Sequence, residues 1–305
     1  MDLLTWRGEL AALSSAVIWA ASSAVYARLG QRIAPLTLNL IKGIAAIGFM
    51  GLTLALRLES IPQTSPTALG LLLLSGAVGI GLGDTAFFIS LNCLGARRGL
   101  LLEALAPPLA AVMAWVALGE RLPPAAWLGI ALTVGGVAWV IVERAQPALE
   151  RSLTPIRLRQ GIFFGSLAAL SQAGGAVLSR AALADTGIPP LWSGLVRIVA
   201  GCAVLLLWLW LSPTSRANPL FRRRAVNLVR LLLAIAATAF ASTFLAIWLQ
   251  QTALKYTAAG IAQAIGATSP MFIIPIAIAL GEQVSWRAIL GAGIALGGVW
   301  LLFMV

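Results

Sequence analysis

The sequence predicts an all-α polytopic membrane protein, with ten transmembrane helices arranged as two inverted five-helix repeats. Three observations predict it: a lipid-compatible composition, ten apolar runs of spanning length, and a repetition that maps one half onto the other. The chain has 305 residues, of which 60% are hydrophobic and only 10% charged, with a mean hydropathy of +0.95. A soluble domain carries about 25% charged residues, so this chain lacks the polar surface to face water on all sides. An apolar run of about 20 residues is long enough to cross a bilayer as a helix. The runs lack the alternation of a membrane β-strand.

In chain order the expected spans are 8–28, 35–56, 67–94, 97–118 and 124–142, then 160–183, 190–211, 229–254, 257–280 and 286–304. Charged residues or Pro and Gly breaks bound each of them. Arg7 and Arg28 bracket the first, Pro35 and Arg57 the second, and Pro66 and Arg97 the third. Gly119-Glu120 and Pro123-Pro124 separate the fourth from the fifth. In the second half Arg159, Pro190, Arg230, Lys255 and Arg287 play the same part. The longer polar connections, 143–159 and 212–228, are too short for a soluble domain. The expected division is a first repeat over 1–145, a connecting loop over 146–159 and a second repeat over 160–305.

The repetition is read directly from the letters. "LGERLPPAAWLGIALTVGGVAW" (118–139) aligns with "LGEQVSWRAILGAGIALGGVWL" (280–301), with the Gly-Glu pair, the single glycine and the Gly-Gly pair in register. Pro108 falls on Pro270 at the same offset. "SSAVYAR" (22–28) faces "GGAVLSR" (174–180), and Lys42 in "LIKGIAA" faces Arg197 in "LVRIVAG". Because each copy has an odd number of spans, the second enters the membrane upside down relative to the first. Inverted repeats around a midplane axis are a transporter plan.

The unit of five spans, with a mid-helix proline, then Gly-Glu, then a glycine-rich last helix, resembles the EamA repeat. Two copies resemble the ten-helix drug/metabolite transporter superfamily, over nearly the whole chain. The resemblance implies a carrier for small metabolites, with amino-acid exporters among the superfamily's members, and both termini in the cytoplasm. Charge implies the opposite orientation. Of the 21 Lys and Arg, Lys42 and Arg197 lie within spans, five flank the amino-terminal side, and the remaining fourteen flank the other. Short basic connections favour the cytoplasm.

A charged residue at bilayer depth is costly and marks a functional-site candidate. Asp84, in "VGIGLGDTAFF", is the deepest carboxylate. It fits a role in binding a substrate amine or carrying a proton, or alternatively a buried ion pair or a cap near a kink. Gly81-Leu82-Gly83-Asp84 also spells GxGD, as in intramembrane aspartyl proteases. That chemistry needs two aspartates sharing a proton. The other aspartates, Asp2 and Asp185, lie outside the spans, so the glycines are read as sites of close helix approach.

Glu103, in "RRGLLLEALAPP", either is neutralised by Arg97 and Arg98 or faces a cavity with Pro107, four residues on. Gln263 occupies the matching region of span nine. Phe244, Trp248 and Gln251 share a face of span eight, and Trp19 and Tyr26 a face of span one, as candidate recognition surfaces. Trp192, Trp208, Trp210 and Trp300 read as interfacial anchors. Lys42 and Arg197, paired by the repeat, suggest gating or structural ion pairs, with anion binding as an alternative. Pro108 and Pro270 are structural. Glu120 and Glu282 are expected to cap the helix that follows each. Gly135-Gly136 and Gly297-Gly298 allow tight packing, within the fold or across a dimer.

Several functions are excluded at this level. There is no histidine, hence no His-based metal or nucleophile site. No metal or cofactor is expected. Cys93 and Cys202 fit no metal or disulfide spacing. The basic residues serve topology and anionic lipid rather than nucleic acid. No Walker motif is present, so ATP is not the direct driver. The expected partners are a small-molecule substrate and the lipid bilayer, with proton coupling an option, and the protein a monomer or homodimer. The runner-up substrate class is a nucleotide sugar or phosphate ester, and the non-transport alternative is a membrane scaffold. The expected location is a bacterial inner (plasma) membrane, as a multi-pass protein.

Overall fold

Helices account for every regular element among the described residues of the computed structural model, which are 6–30, 35–58, 62–94, 96–143, 155–211, 228–272 and 285–305. The first half comprises α1 (Arg7–Gly30), α2 (Pro35–Leu56), a third span built of α3 (Pro66–Gly76), a π-helical segment π1 (Ala77–Gly83) and α4 (Asp84–Leu94), a fourth span built of α5 (Ala96–Glu103) and α6 (Ala106–Leu118), and α7 (Pro124–Glu143). The second half comprises α8 (Pro155–Leu183), α9 (Pro190–Leu211), a span of α10 (Leu228–Thr238), π2 (Ala239–Leu245) and α11 (Ala246–Tyr256), then α12 (Ala259–Gly266), which opens the ninth span, and α13 (Trp286–Phe303). Eight of the described helical stretches are long and apolar enough to cross a membrane. α1 and the span opened by α12 complete the ten. Prolines open several helices at their first turn, where a missing N–H has no helical partner to lose.

The packing carries the symmetry that the letters suggested. α7 lies against α13, α2 against α9, and α6 against α12, each pair joining equivalent spans of the two halves. The first span packs on the eighth, and the third on the sixth. A two-fold operation that exchanges the halves turns the one contact into the other. The α7–α13 crossing shows why small residues are required. A Cβ on Gly136 would lie 2.5 Å from the Ala295 nitrogen and the Gly291 oxygen, and one on Gly298 2.6 Å from the Thr133 nitrogen. Gly135 and Gly297 have nothing within 4 Å of a Cβ. One glycine of each pair therefore serves the intramolecular seam.

Both halves also break their third and fourth spans at matching places. π1 and π2 are related by the offset that relates Pro108 to Pro270. A π turn leaves carbonyls poorly paired, and at membrane depth each needs a donor. Hydroxyls supply them: Thr85 Oγ1 donates to the Gly81 carbonyl at 2.6 Å and Ser242 Oγ to that of Thr238 at 2.8 Å. The fourth span is interrupted between Glu103 and Ala106, just before Pro107 and Pro108. Its counterpart turns at Ala267 and Thr268, just before Pro270. A proline removes one helical hydrogen bond and clashes with the preceding turn, which accounts for both breaks.

Two expectations shift at this level. α8 begins at Pro155 rather than at 160, because Arg157 and Arg159 end an apolar run without ending a helix. Trp192 is packed against the alanine-rich core, with its indole N–H buried and without a partner, whereas Trp208, Trp210 and Trp300 are 46%, 67% and 62% exposed, as surface anchors are.

Candidate functional site: a charged cluster between the two halves

The π1 turn delivers Asp84 as the first residue of α4. Asn39 Nδ2, on α2, donates to Asp84 Oδ2 at 3.1 Å. One turn further along α2, Lys42 is buried, with its ammonium 5.4 Å from the Trp19 ring centroid of α1, within cation–π range. The cationic charges that reach Asp84 are those of Lys42 and, from α9, Arg197. The charge that reaches Glu103, at the break of the fourth span, is that of Asp84. Lys42 and its repeat equivalent Arg197 are thus buried cations whose charge acts on a carboxylate that only the first half provides. Asp84, Glu103 and Trp19 remain partly exposed while Asn39, Lys42 and Arg197 are buried.

Glycines make the approach possible. A Cβ on Gly76 would lie 2.1 Å from the Arg197 carbonyl oxygen, one on Gly81 2.6 Å from Val204, and one on Gly83 3.1 Å from Ser171. The GxGD letters therefore let α9 and α8 close on π1, with Asp84 carried just past the crossing. Two residues of this cluster were missed in the sequence. Asn39 had a visible signal, an amide three residues before Lys42 in an apolar run. Gln172 had a weaker one; its Oε1 and the Arg197 Nη2 lie 3.7 and 3.3 Å from where a Cβ on Gly79 would stand.

The other candidates lie elsewhere. Phe244 is buried in an aromatic group with Phe49, Phe240 and Trp248. Trp248 carries the Arg57 guanidinium 5.0 Å above its ring. Gln251 is fully buried and accepts from Ser193 Oγ at 3.2 Å, with its Nε2 unpartnered. These three residues share a face, as their spacing required, but Phe244 and Gln251 spend it on packing. Gln263 and Pro270 are half-buried near the break in the ninth span. The side chains of Tyr26, Arg97 and Arg98, and all of Glu282, lie outside the described residues.

At the amino-terminal face a second polar group ties the halves together. Arg180 Nε donates to Glu120 Oε1 at 2.6 Å, and Arg180 Nη1 to the carbonyls of Leu254 and Lys255 at 3.1 and 2.6 Å. Glu120 Oε2 accepts from the Ala259 N–H at 3.1 Å. Glu120 thus caps α12 of the opposite half, not α7, the helix that follows it. Gly119, at φ 70°, supplies the left-handed turn that aims it there. Lys255 Nζ donates to the Ile188 carbonyl at 2.8 Å, and Thr257 Oγ1 to Glu9 at 2.9 Å.

Two clefts flank the bundle, of about 350 Å³ beside Trp6, Trp300 and Phe303 and about 300 Å³ beside Leu94, Leu102 and Ile162. Both are apolar, and neither contains any of the clustered charges. No group of His, Cys, Asp and Glu among the described residues is arranged to hold a metal.

The family model of EamA-like transporters matches residues 6–142 and again 159–304. A solved crystal structure of a protein superposes with a TM-score of 0.78 at 16% identity, over 97% of this chain and 96% of its own. That likeness concerns the fold. No curated protein matches the chain.

Proposed function

This chain belongs to the EamA-like transporter family, within the drug/metabolite transporter superfamily, and from that premise we propose that it is a secondary carrier exporting small polar or amphipathic metabolites, such as amino acids, by alternating access. The observation that carries this reading is Asp84 itself, set at mid-span by the π turn and held by Asn39 of α2, a carboxylate that only the first half provides. A pair of inverted halves that rock about a central site exposes it to each side in turn. The charged cluster is that site, and Asp84 with Glu103 receives a cationic group of the solute or a proton. The Glu120–Arg180 pair, with its carbonyl and N–H contacts, holds the amino-terminal end closed in this conformation. Pro108 and Pro270, at the broken fourth spans, are the points about which each half bends, and Lys42 and Arg197 change partners as it does.

The test is counterflow in proteoliposomes of the full chain, with labelled amino acids and related metabolites. Saturable exchange of at least one of them is expected. Failure to exchange any would remove this substrate class. Asp84→Asn keeps the shape and removes the charge. If Asp84 couples transport to protons, an imposed pH gradient drives uptake in the wild type and no longer does so in the variant.

A further inference from the structure

We propose that the cleft between α5 and the first turns of α8 binds one anionic phospholipid, with an acyl chain lying in the cleft and the phosphate meeting Arg157 and Arg159. This site is separate from the charged cluster and does not depend on the carrier reading above.

The first observation is a built cleft. It measures about 300 Å³ and is lined by Leu94, Leu101, Leu102, Leu158 and Ile162. Two glycines set its inner edge. A Cβ on Gly161 would overlap Leu94, and one on Gly165 would overlap Leu102, so α8 is pressed onto α4 and α5 along that seam. Ser90 Oγ fastens the seam by donating to the Gly161 carbonyl at 3.0 Å. From Gly161 back to its start, α8 stands clear of the bundle, and every residue over 155–160 is exposed. Walls made only of leucine and isoleucine suit a hydrocarbon chain.

The second observation is what flanks the cleft. A helix turns about 100° per residue, so Arg157 and Arg159 stand on either side of Leu158. Ile162 continues the leucine's stripe one turn on. The α8 wall is therefore an aliphatic strip between two exposed arginines. A guanidinium fork binds phosphate oxygens in pairs. Lipid tails are as apolar as leucine, so the strip alone favours no lipid over another. The arginines supply the choice, and they favour a headgroup whose phosphate charge is not cancelled by an amine of its own.

The other cleft provides the contrast. It is similar in size, about 350 Å³, but is bordered by Trp6 and Trp300. Tryptophan suits the interface beside any headgroup. Selection by charge is expected at the α5–α8 cleft.

The test is native mass spectrometry of the detergent-solubilised full-length protein, mixed with equal amounts of phosphatidylglycerol and phosphatidylcholine carrying the same chains. The wild type is expected to retain one phosphatidylglycerol in preference. An arginine near an anionic headgroup is worth about fivefold, so Arg157→Gln with Arg159→Gln should lower that preference by about ten- to thirtyfold. Arg7→Gln with Arg121→Gln removes the same charge from the amino-terminal face and should leave the preference unchanged. Leu158→Trp keeps every charge, fills the cleft and should release the lipid. Inorganic phosphate is expected not to displace it. Equal retention of the two lipids by the wild type, an unchanged preference without Arg157 and Arg159, or an equal loss without Arg7 and Arg121 would each overturn the proposal. So would displacement by inorganic phosphate, or a second copy of the chain held in place of lipid, seen as a dimer that Leu158→Trp dissociates. If Leu158→Trp fails to fold, the two arginine pairs still decide. Counterflow tests the carrier alone, and its failure would leave the lipid site standing.

Discussion

The third spans of the two halves share a backbone and differ in chemistry. Each runs as α-helix, seven-residue π-helix and α-helix, with the π turns in register between repeats. At the residue after the π turn the first half places Asp84 and the second places Ala246, which is fully buried and whose carbonyl accepts from Ser15 at 3.0 Å. The π turn therefore belongs to the architecture, while the carboxylate is an addition made once. The cations were kept in both halves, as Lys42 and Arg197. A symmetric frame around an asymmetric charge explains why one solute site serves two equivalent motions.

Four substitutions probe that comparison, in order of expected size. Ala246→Asp imposes the first half's carboxylate on the second. The imposed carboxylate would be fully buried without the Asn39 amide from which Asp84 accepts, so a loss of about 3–5 kcal/mol is expected, as for a buried charge that lacks its partner. A midpoint of thermal unfolding close to the wild type would mean that the halves are interchangeable after all. Gly76→Ala drives a methyl into the α9 backbone at Arg197 and is expected to cost about 1–3 kcal/mol. At its repeat-equivalent, Thr238, the second half already tolerates a side chain, which caps the Ala234 carbonyl at 2.6 Å. A neutral Gly76→Ala would show that π1 does not need its close approach. Glu120→Gln removes the ion pair with Arg180 but keeps an acceptor for Ala259, and should cost about 1–2 kcal/mol, as for one charged hydrogen bond. It should also raise the reactivity of amino-terminal-face residues toward aqueous reagents. Gly135→Ala meets nothing within 4 Å and should gain up to about 1 kcal/mol from helix propensity, in contrast to Gly136 beside it. A loss there would indicate that this face is covered, as by a second copy.

Much of this frame could be read from the letters. The ten spans, the duplication and the proline breaks rest on hydropathy and on the missing N–H of proline, both of which are local. Asp84, Glu103, Lys42 and Arg197 stood out because charge inside an apolar run is conspicuous. What was not legible is geometric. A π turn of Gly-rich or Ala-rich residues has no periodic signature, so the register at Asp84 was hidden. Glu120 was recognised as a cap, but which helix it caps depends on how the halves meet. Gln251 and Phe244 have the same spacing whether they line a site or pack against α9 and α2. Burial of an amide depends on its neighbours, and those neighbours come from distant spans.

The central claim is that the charged cluster is reached from each side of the membrane in turn. It is tested most directly by accessibility at Trp19, the partly exposed member of the cluster on α1. Trp19→Cys is made in a background with Cys93 and Cys202 replaced by serine, and reconstituted in proteoliposomes of uniform orientation. A small membrane-impermeant thiol reagent is then added outside or trapped inside. The account predicts modification from both sides, each slowed by a transported solute. Modification from one side only, or by lipid-soluble reagents alone, would contradict it.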